Sequence, residues 1–261
     1  MQSRLRYLRQ VLRKWKNRPV LPYLKFALII YGLSAAAAAA QAVPDSSNFG
    51  SISGRVTYTG TPPEPKKLMV IKDVKVCAKV DHFDERLVVG ENGGIKDAVI
   101  SLQNVTGGIS IDSLGKEFIL DQKVCAYTPH ILIVPVGIPV KILNNDGILH
   151  NIHTYAVKNQ SVNLAQPRFK KTIRMTFDEA ENVQVRCDVH GWMSAWIIAV
   201  DHPYYTVTDS SGEFVISDVP PGTYTVNVWQ ESMELASTEV TVIADEEVEM
   251  NYSFGEEDIG D

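Results

Sequence analysis

From Ile52 onward the apolar residues recur every second position in short runs, not every third or fourth as on a helix face. Ile52, Val56 and Tyr58 share one phase, and the run stops at Gly60-Thr61-Pro62-Pro63. A period of two puts alternate side chains on one face of a strand. Lys96–Leu102 reads as a second strand, closed by Thr106-Gly107-Gly108. Toward the far end Phe214 and Ile216 alternate before Val219-Pro220-Pro221-Gly222. Tyr224, Val226 and Val228 follow, then Val240 and Val242, then Val248, Met250, Tyr252 and Phe254. The middle of the chain predicts strands over Phe118–Ala126, His130–Val134, Pro139–Asn144, Leu149–Thr154, Lys171–Phe177, Val183–Cys187 and Ser194–Val200. Almost nothing reads as helix. Many short strands between Gly, Pro, Asn and Asp clusters predict an all-β chain built from sandwiches or barrels. The acidic residues from Glu256 onward predict a frayed end.

The first 42 residues break this pattern. Residues 1–25 carry eight Lys and Arg and no acid, Phe26–Ala40 is apolar, and Ala40-Gln41-Ala42 is a small-residue triplet. A basic segment, an apolar stretch and an A-x-A site predict a secretory signal peptide, with an uncleaved membrane anchor as the other reading. Either reading sends the remainder out of the cytoplasm, to the periplasm or the extracellular space. Removing the signal leaves 17 Lys and Arg against 31 Asp and Glu. That balance disfavours nucleic acid and anionic membranes as partners and allows steering toward a basic protein.

An exported chain with three cysteines has an odd one over. One reading pairs Cys77 with Cys125 as a disulfide and leaves Cys187 free for chemistry. Cys187 opens the run Cys187-Asp188-Val189-His190-Gly191-Trp192-Met193, and His150-Asn151 lies just past the turn Asn144-Asn145-Asp146-Gly147. A Cys at a strand end and a His three on can point into one small volume, and a Met three further can approach it from another side. A His from a distant strand completes the set. Two imidazoles, a thiolate and a weak thioether form the donor set that selects copper and suits one-electron transfer. Zinc on His150, His153, Cys187 and His190 is a competing set. However, residues three apart on a strand face opposite ways, so His150 and His153 should diverge. His82, His130 and His202 have no spacing that pairs them with a partner. No G-x-S-x-G, P-loop, dinucleotide fingerprint or H-E-x-x-H occurs, so neither an enzyme nor a small-molecule substrate is expected.

The stretches IVPVGIPVKILNNDGILHNIH and VQVRCDVHGWMSAWIIAV resemble the cupredoxins of the plastocyanin and amicyanin group. The C-x2-H-x2-M spacing is similar to that of the amicyanins. The resemblance implies a Greek-key β-sandwich holding one copper through His150, Cys187, His190 and Met193, with Asn151 supporting the thiolate loop. The polar and basic segment Tyr155–Arg174 departs from it. SISGRVTYTG, KDAVISL and TVTDSSGEFVISDVPPGTYTVNV resemble successive parts of a carboxypeptidase regulatory-like, or transthyretin-like, β-sandwich. Asp209-Ser210-Ser211-Gly212 reads as a tight hairpin turn, and Pro220-Pro221-Gly222 as a turn of fixed φ followed by φ > 0.

The two resemblances interleave. They predict a signal over 1–42, a first part of the regulatory-like sandwich over 49–110 and a cupredoxin-like insertion over 113–201. The second part of the outer sandwich follows over 202–254, and a tail over 255–261. The function they imply is an exported copper protein carrying electrons to or from a redox partner. The alternatives are copper delivery or buffering, and a structural or adhesion module.

Overall fold

The computed structural model describes residues 48–260; the expected signal segment and Asp261 lie outside the described residues. The chain is all-β, with helical geometry limited to single turns such as Val74–Cys77. No helix among the described residues is long and apolar enough to cross a membrane.

Four sheets make two sandwiches. In the first, Gly50–Tyr58 pairs antiparallel with Glu213–Val219 and parallel with Glu247–Glu249 and Tyr252–Phe254. The facing sheet orders Tyr205–Val207, Val99–Leu102, Gly222–Trp229 and Ala236–Val242, all antiparallel. Because strand side chains alternate, one face of each sheet is apolar. Ile52, Val56, Phe214, Ile216, Val226, Val228, Val240 and Phe254 meet between them. Burying each such side chain is worth roughly 1.5–3 kcal/mol.

Val99–Leu102 and Tyr205–Val207 are hydrogen-bonded neighbours, Tyr205 opposite Ser101, although the whole second sandwich lies between them in sequence. One sheet of that second sandwich orders Asn163–Gln166, His150–Tyr155, Glu181–Arg186, Ser194–Val200 and Ile131–Pro135. The other orders Thr172–Met175, Val140–Asn144, Phe118–Lys123 and Ala126–Thr128. A third apolar cluster joins the two sandwiches: Val99, Val207 and Trp229 on one side meet Ile131, Ile198 and Val200 on the other.

Four local expectations change. Phe118–Ala126 is not one strand. It breaks into a hairpin whose two-residue turn, Val124-Cys125, has φ of 51° and 57°. Left-handed backbone is costly for a β-branched residue, and composition alone does not announce it. Asn163–Gln166 adds an unanticipated edge strand within the polar segment. At Pro220-Pro221-Gly222 the left-handed residue is Asp218 (φ 55°), not Gly222. Gly222 instead serves close approach: Tyr224 donates its hydroxyl to the Pro220 carbonyl at 2.8 Å, folding its ring over the glycine. The acidic end is tied down as well. Glu234 N donates to Asp258 O and Gly260 N to Ser232 O, both at 2.9 Å.

Between Tyr58 and Val88 the chain leaves the first sandwich and folds back on itself, Leu68 N donating to His82 O and Asp84 N to Lys66 O. This strap packs Val70, Val76 and Cys77 against the core of the second sandwich.

Candidate metal centre

His150 opens the strand His150–Tyr155, and Cys187 directly follows the strand Glu181–Arg186. The loop after Cys187 is short because its own backbone closes it. Met193 N donates to His190 O at 2.9 Å and Cys187 N to Met193 O at 3.2 Å. Gly191 sits at the bend with open space around it. The structure thereby brings the Cys187 Sγ to 3.9 Å from His150 Nδ1 and 3.8 Å from His190 Nδ1. The two Nδ1 atoms are 3.0 Å apart. All three residues are buried, and Met193 is buried in the same cluster as Cys187.

The far side of each imidazole meets a carboxylate. His150 Nε2 lies 2.9 Å from Asp146 Oδ2, and His190 Nε2 lies 2.9 Å from Asp73 Oδ2. An ionised carboxylate only accepts, so Nε2 is the N–H of each ring and Nδ1 carries the lone pair. Two buried lone pairs facing one another at 3.0 Å, with a thiol beside them, repel unless a cation or a shared proton lies between. The donor set therefore fits a metal ion. Carboxylates behind ligating histidines fix tautomer and ring orientation and raise ligand basicity.

Asp146 is itself held. Its carboxylate accepts from the backbone N–H groups of Val124 and Cys125, the two left-handed residues of the hairpin turn. Burial pushes the Asp146 pKa up, but His150 and these two N–H groups outweigh it and hold it below the usual carboxylate value. For His150 burial opposes protonation, and the bonds to Asp146 and Cys187 overcome that and raise its pKa. Burial also disfavours the Cys187 thiolate. The imidazoles of His150 and His190 overcome it and bring the thiol down to about 6.

Asn151 points the other way along the strand. Its Oδ1 accepts from Asp188 N at 2.7 Å and Val189 N at 3.3 Å, pinning the loop that carries the thiol. His153 stands apart from the cluster, half-exposed, 3.0 Å from Asp188 Oδ1. That placement keeps it out of a four-ligand zinc set with His150.

Cys77 and Cys125 form a disulfide. Their sulfurs lie within 4.8 Å of a ring nitrogen of His190, and Trp192 Nε1 donates to Cys125 O at 3.1 Å. The bond clamps the strap onto the site and so delivers Asp73, four residues before Cys77. The sequence holds a hint of Asp146, which sits in the turn four residues before His150. It holds none of Asp73, which reaches His190 across 117 positions. Nor does spacing reveal His130, whose Nε2 pairs with the buried Glu231 of the other sandwich. His82 Nε2 donates to Cys77 O, 2.9 Å away, and His202 is half-buried.

Residues 194–254 match the family model of the carboxypeptidase regulatory-like domain. The match begins on Ser194–Val200, which is hydrogen-bonded into the second sandwich, not the first. Among solved structures the chain is similar to a mutant of amicyanin in its Cu(I) form, at 17% identity and a TM-score of 0.30, over 39% of this chain and 98% of that one. It is likewise similar to a second amicyanin mutant, reduced at pH 4, at 18% identity, a TM-score of 0.30 and the same coverage. A copper-containing nitrite reductase from Thermus scotoductus matches at 19% identity and a TM-score of 0.29, over 33% of this chain and 22% of that one. A search of curated proteins finds no match.

Proposed function

We propose that the chain is an exported one-electron carrier in which Cys187, His150, His190 and Met193 hold a single copper ion. One observation carries this reading: a thiol and two imidazole Nδ1 atoms converge in a buried volume, and both rings are oriented by carboxylates. Copper bound there supplies the Cu(I)/Cu(II) couple. The residues do the rest. Asp146 and Asp73 hold the rings still, Asn151 holds the thiolate loop, and the strap keeps water off His190. A centre that reorganises little on changing charge suits electron transfer better than ion handover, and its burial weighs against a delivery or buffering role. With its donors committed to one ion, the centre is proposed to have no enzymatic turnover.

The test is spectroscopic. Cu(II) added to the chain from Val43 onward should give an intense thiolate-to-copper visible band and a narrow EPR hyperfine splitting. Cys187→Ser should abolish both. A pale tetragonal signal from the unaltered chain would refute the reading in favour of buffering or a structural role. Copper binding should also raise the melting temperature, by about 2.7 kcal/mol of stabilisation at a hundredfold excess over Kd.

A further inference from the structure

The strap does more than cover His190. Between Lys66 and Val80 it carries Lys66, Lys67, Lys72, Lys75 and Lys79 against one acid, Asp73, whose carboxylate is turned inward to the ring. Lys67 pairs with Asp81, whereas Lys72, Lys75 and Lys79 form no ion pair among the described residues. Met69 is 80% exposed, Ile71 77%, Val74 54% and Val80 52%. The strap thus spends Val70, Val76 and Cys77 on the core and turns four other apolar residues outward among lysines. This cationic, apolar surface sits on a chain that is otherwise strongly acidic beyond residue 42. From the metal-facing Nδ1 of His190 the way out is one imidazole ring and one carboxylate, ending between Lys72 and Val74.

Resting on the electron-carrier reading, we propose that the exposed face of the strap is the docking surface for an acidic protein redox partner. The partner is a one-electron acceptor or donor with an apolar patch ringed by carboxylates. With copper held there, His190 and Asp73 would be the route by which one electron passes from the reduced centre to an oxidised partner, or from a reduced partner to the oxidised centre. Overall charge alone points to a basic partner; the strap inverts that locally, around the carboxylate that meets His190. Complementary charge of this kind acts mainly on encounter rate and is screened by salt.

The experiment is stopped-flow oxidation of the reduced, copper-loaded full chain by ferricyanide across ionic strength, with polyglutamate as competitor. Although chain and oxidant are both anionic, the rate should fall as salt rises, and polyglutamate should slow it. Lys72→Glu/Lys75→Glu should cut the low-salt rate about tenfold and reverse the salt slope, with the visible band and potential unchanged. Lys79→Glu, farther from Asp73, should do the same more weakly, which guards against a misfolded strap. A rate that rises with salt in the unaltered chain, or a double variant that behaves like it, overturns the docking face while leaving the carrier reading intact. Loss of reactivity on adding phosphatidylglycerol vesicles overturns it in favour of a lipid surface. A second-order rate that drops with the chain's own concentration overturns it in favour of self-association. Absence of any reversible one-electron couple sinks the carrier reading, and this proposal with it.

Discussion

The two sandwiches bury very different interiors. The outer one closes around Ile52, Val56, Phe214, Ile216, Val226, Met250 and Phe254, an apolar filling whose only ionisable members are the tyrosines Tyr58 and Tyr204. The inserted one admits Gln122, Asn144, His150, Asn151, Gln166 and His190, each at most 5% exposed. Buried polar groups are costly unless bonded, and these are nearly all bonded, in a chain that leads to the candidate metal centre. Gln122 Nε2 donates to Gln166 Oε1, and Gln166 Nε2 to Ile142 O. Asn144 Nδ2 donates to Gln166 O and Ile148 O, and its Oδ1 accepts from Asp146 N. Asp146 then holds His150. The contrast teaches that the outer sandwich is held mainly by apolar packing. The inner one exchanges some apolar packing for a rigid site.

The largest test falls on the clamp that only the inner sandwich has. Converting Cys77 and Cys125 together to Ala opens a loop of 48 residues' separation. Chain-entropy reasoning puts the loss at about 4 kcal/mol in a urea titration. The same variant should exchange copper with a chelator faster, because Asp73 is no longer delivered to His190. Unchanged exchange would mean that the strap does not seal the site.

Next in size, Phe254→Ala in the outer core should cost about 3 kcal/mol and leave the copper spectrum untouched. A shifted spectrum would break the contrast, because it would show the outer sandwich shaping the centre. Asn144→Ala should cost less, about 2 kcal/mol, through the carbonyls and the Asp146 N–H that it strands. Unlike Phe254→Ala it should move the visible band or the potential, since Asp146 loses its support.

These variants also mark how far the sequence is legible. The alternation of Ile52, Val56 and Tyr58, or of Phe214 and Ile216, reports strands because each residue's own periodicity is the signal. The Cys187, His190 and Met193 spacing points to a candidate site because three potential donors sit on one tight loop. Asp73, Glu231 and the Gln122–Gln166 pair are invisible for the opposite reason. Their partners lie 117, 101 and 44 positions away, and nothing local distinguishes them from surface polar residues. The Val124-Cys125 turn is hidden too. Its left-handed backbone is stabilised by the Asp146 carboxylate from the turn before His150 and a disulfide from the strap, not by an Asn-Gly signature.

The smallest effect tests whether the sandwiches act as one body. His130 of the inner sandwich pairs with Glu231 of the outer one, both side chains nearly inaccessible, and Glu231 Oε2 also accepts from Trp196 Nε1 at 2.7 Å. Burial lowers the His130 pKa, and the bond and charge of Glu231, with Glu85 and Asp97 further off, overcome it and raise it above the ordinary 6.5. A raised native pKa means the folded chain holds the proton more tightly than the unfolded one. The pair's contribution is therefore complete below about pH 6.5 and is lost as pH climbs through the higher native value. Urea midpoints of the unaltered chain and of Glu231→Gln, compared between about pH 5 and pH 9, should converge toward the alkaline end. Glutamine keeps an acceptor for Trp196 but removes the charge, so the difference between the two curves isolates the ion pair from every other titrating group. A constant gap across that range would mean that His130 stays neutral, and that the contact between the sandwiches rests on Val99, Ile198 and their apolar neighbours alone.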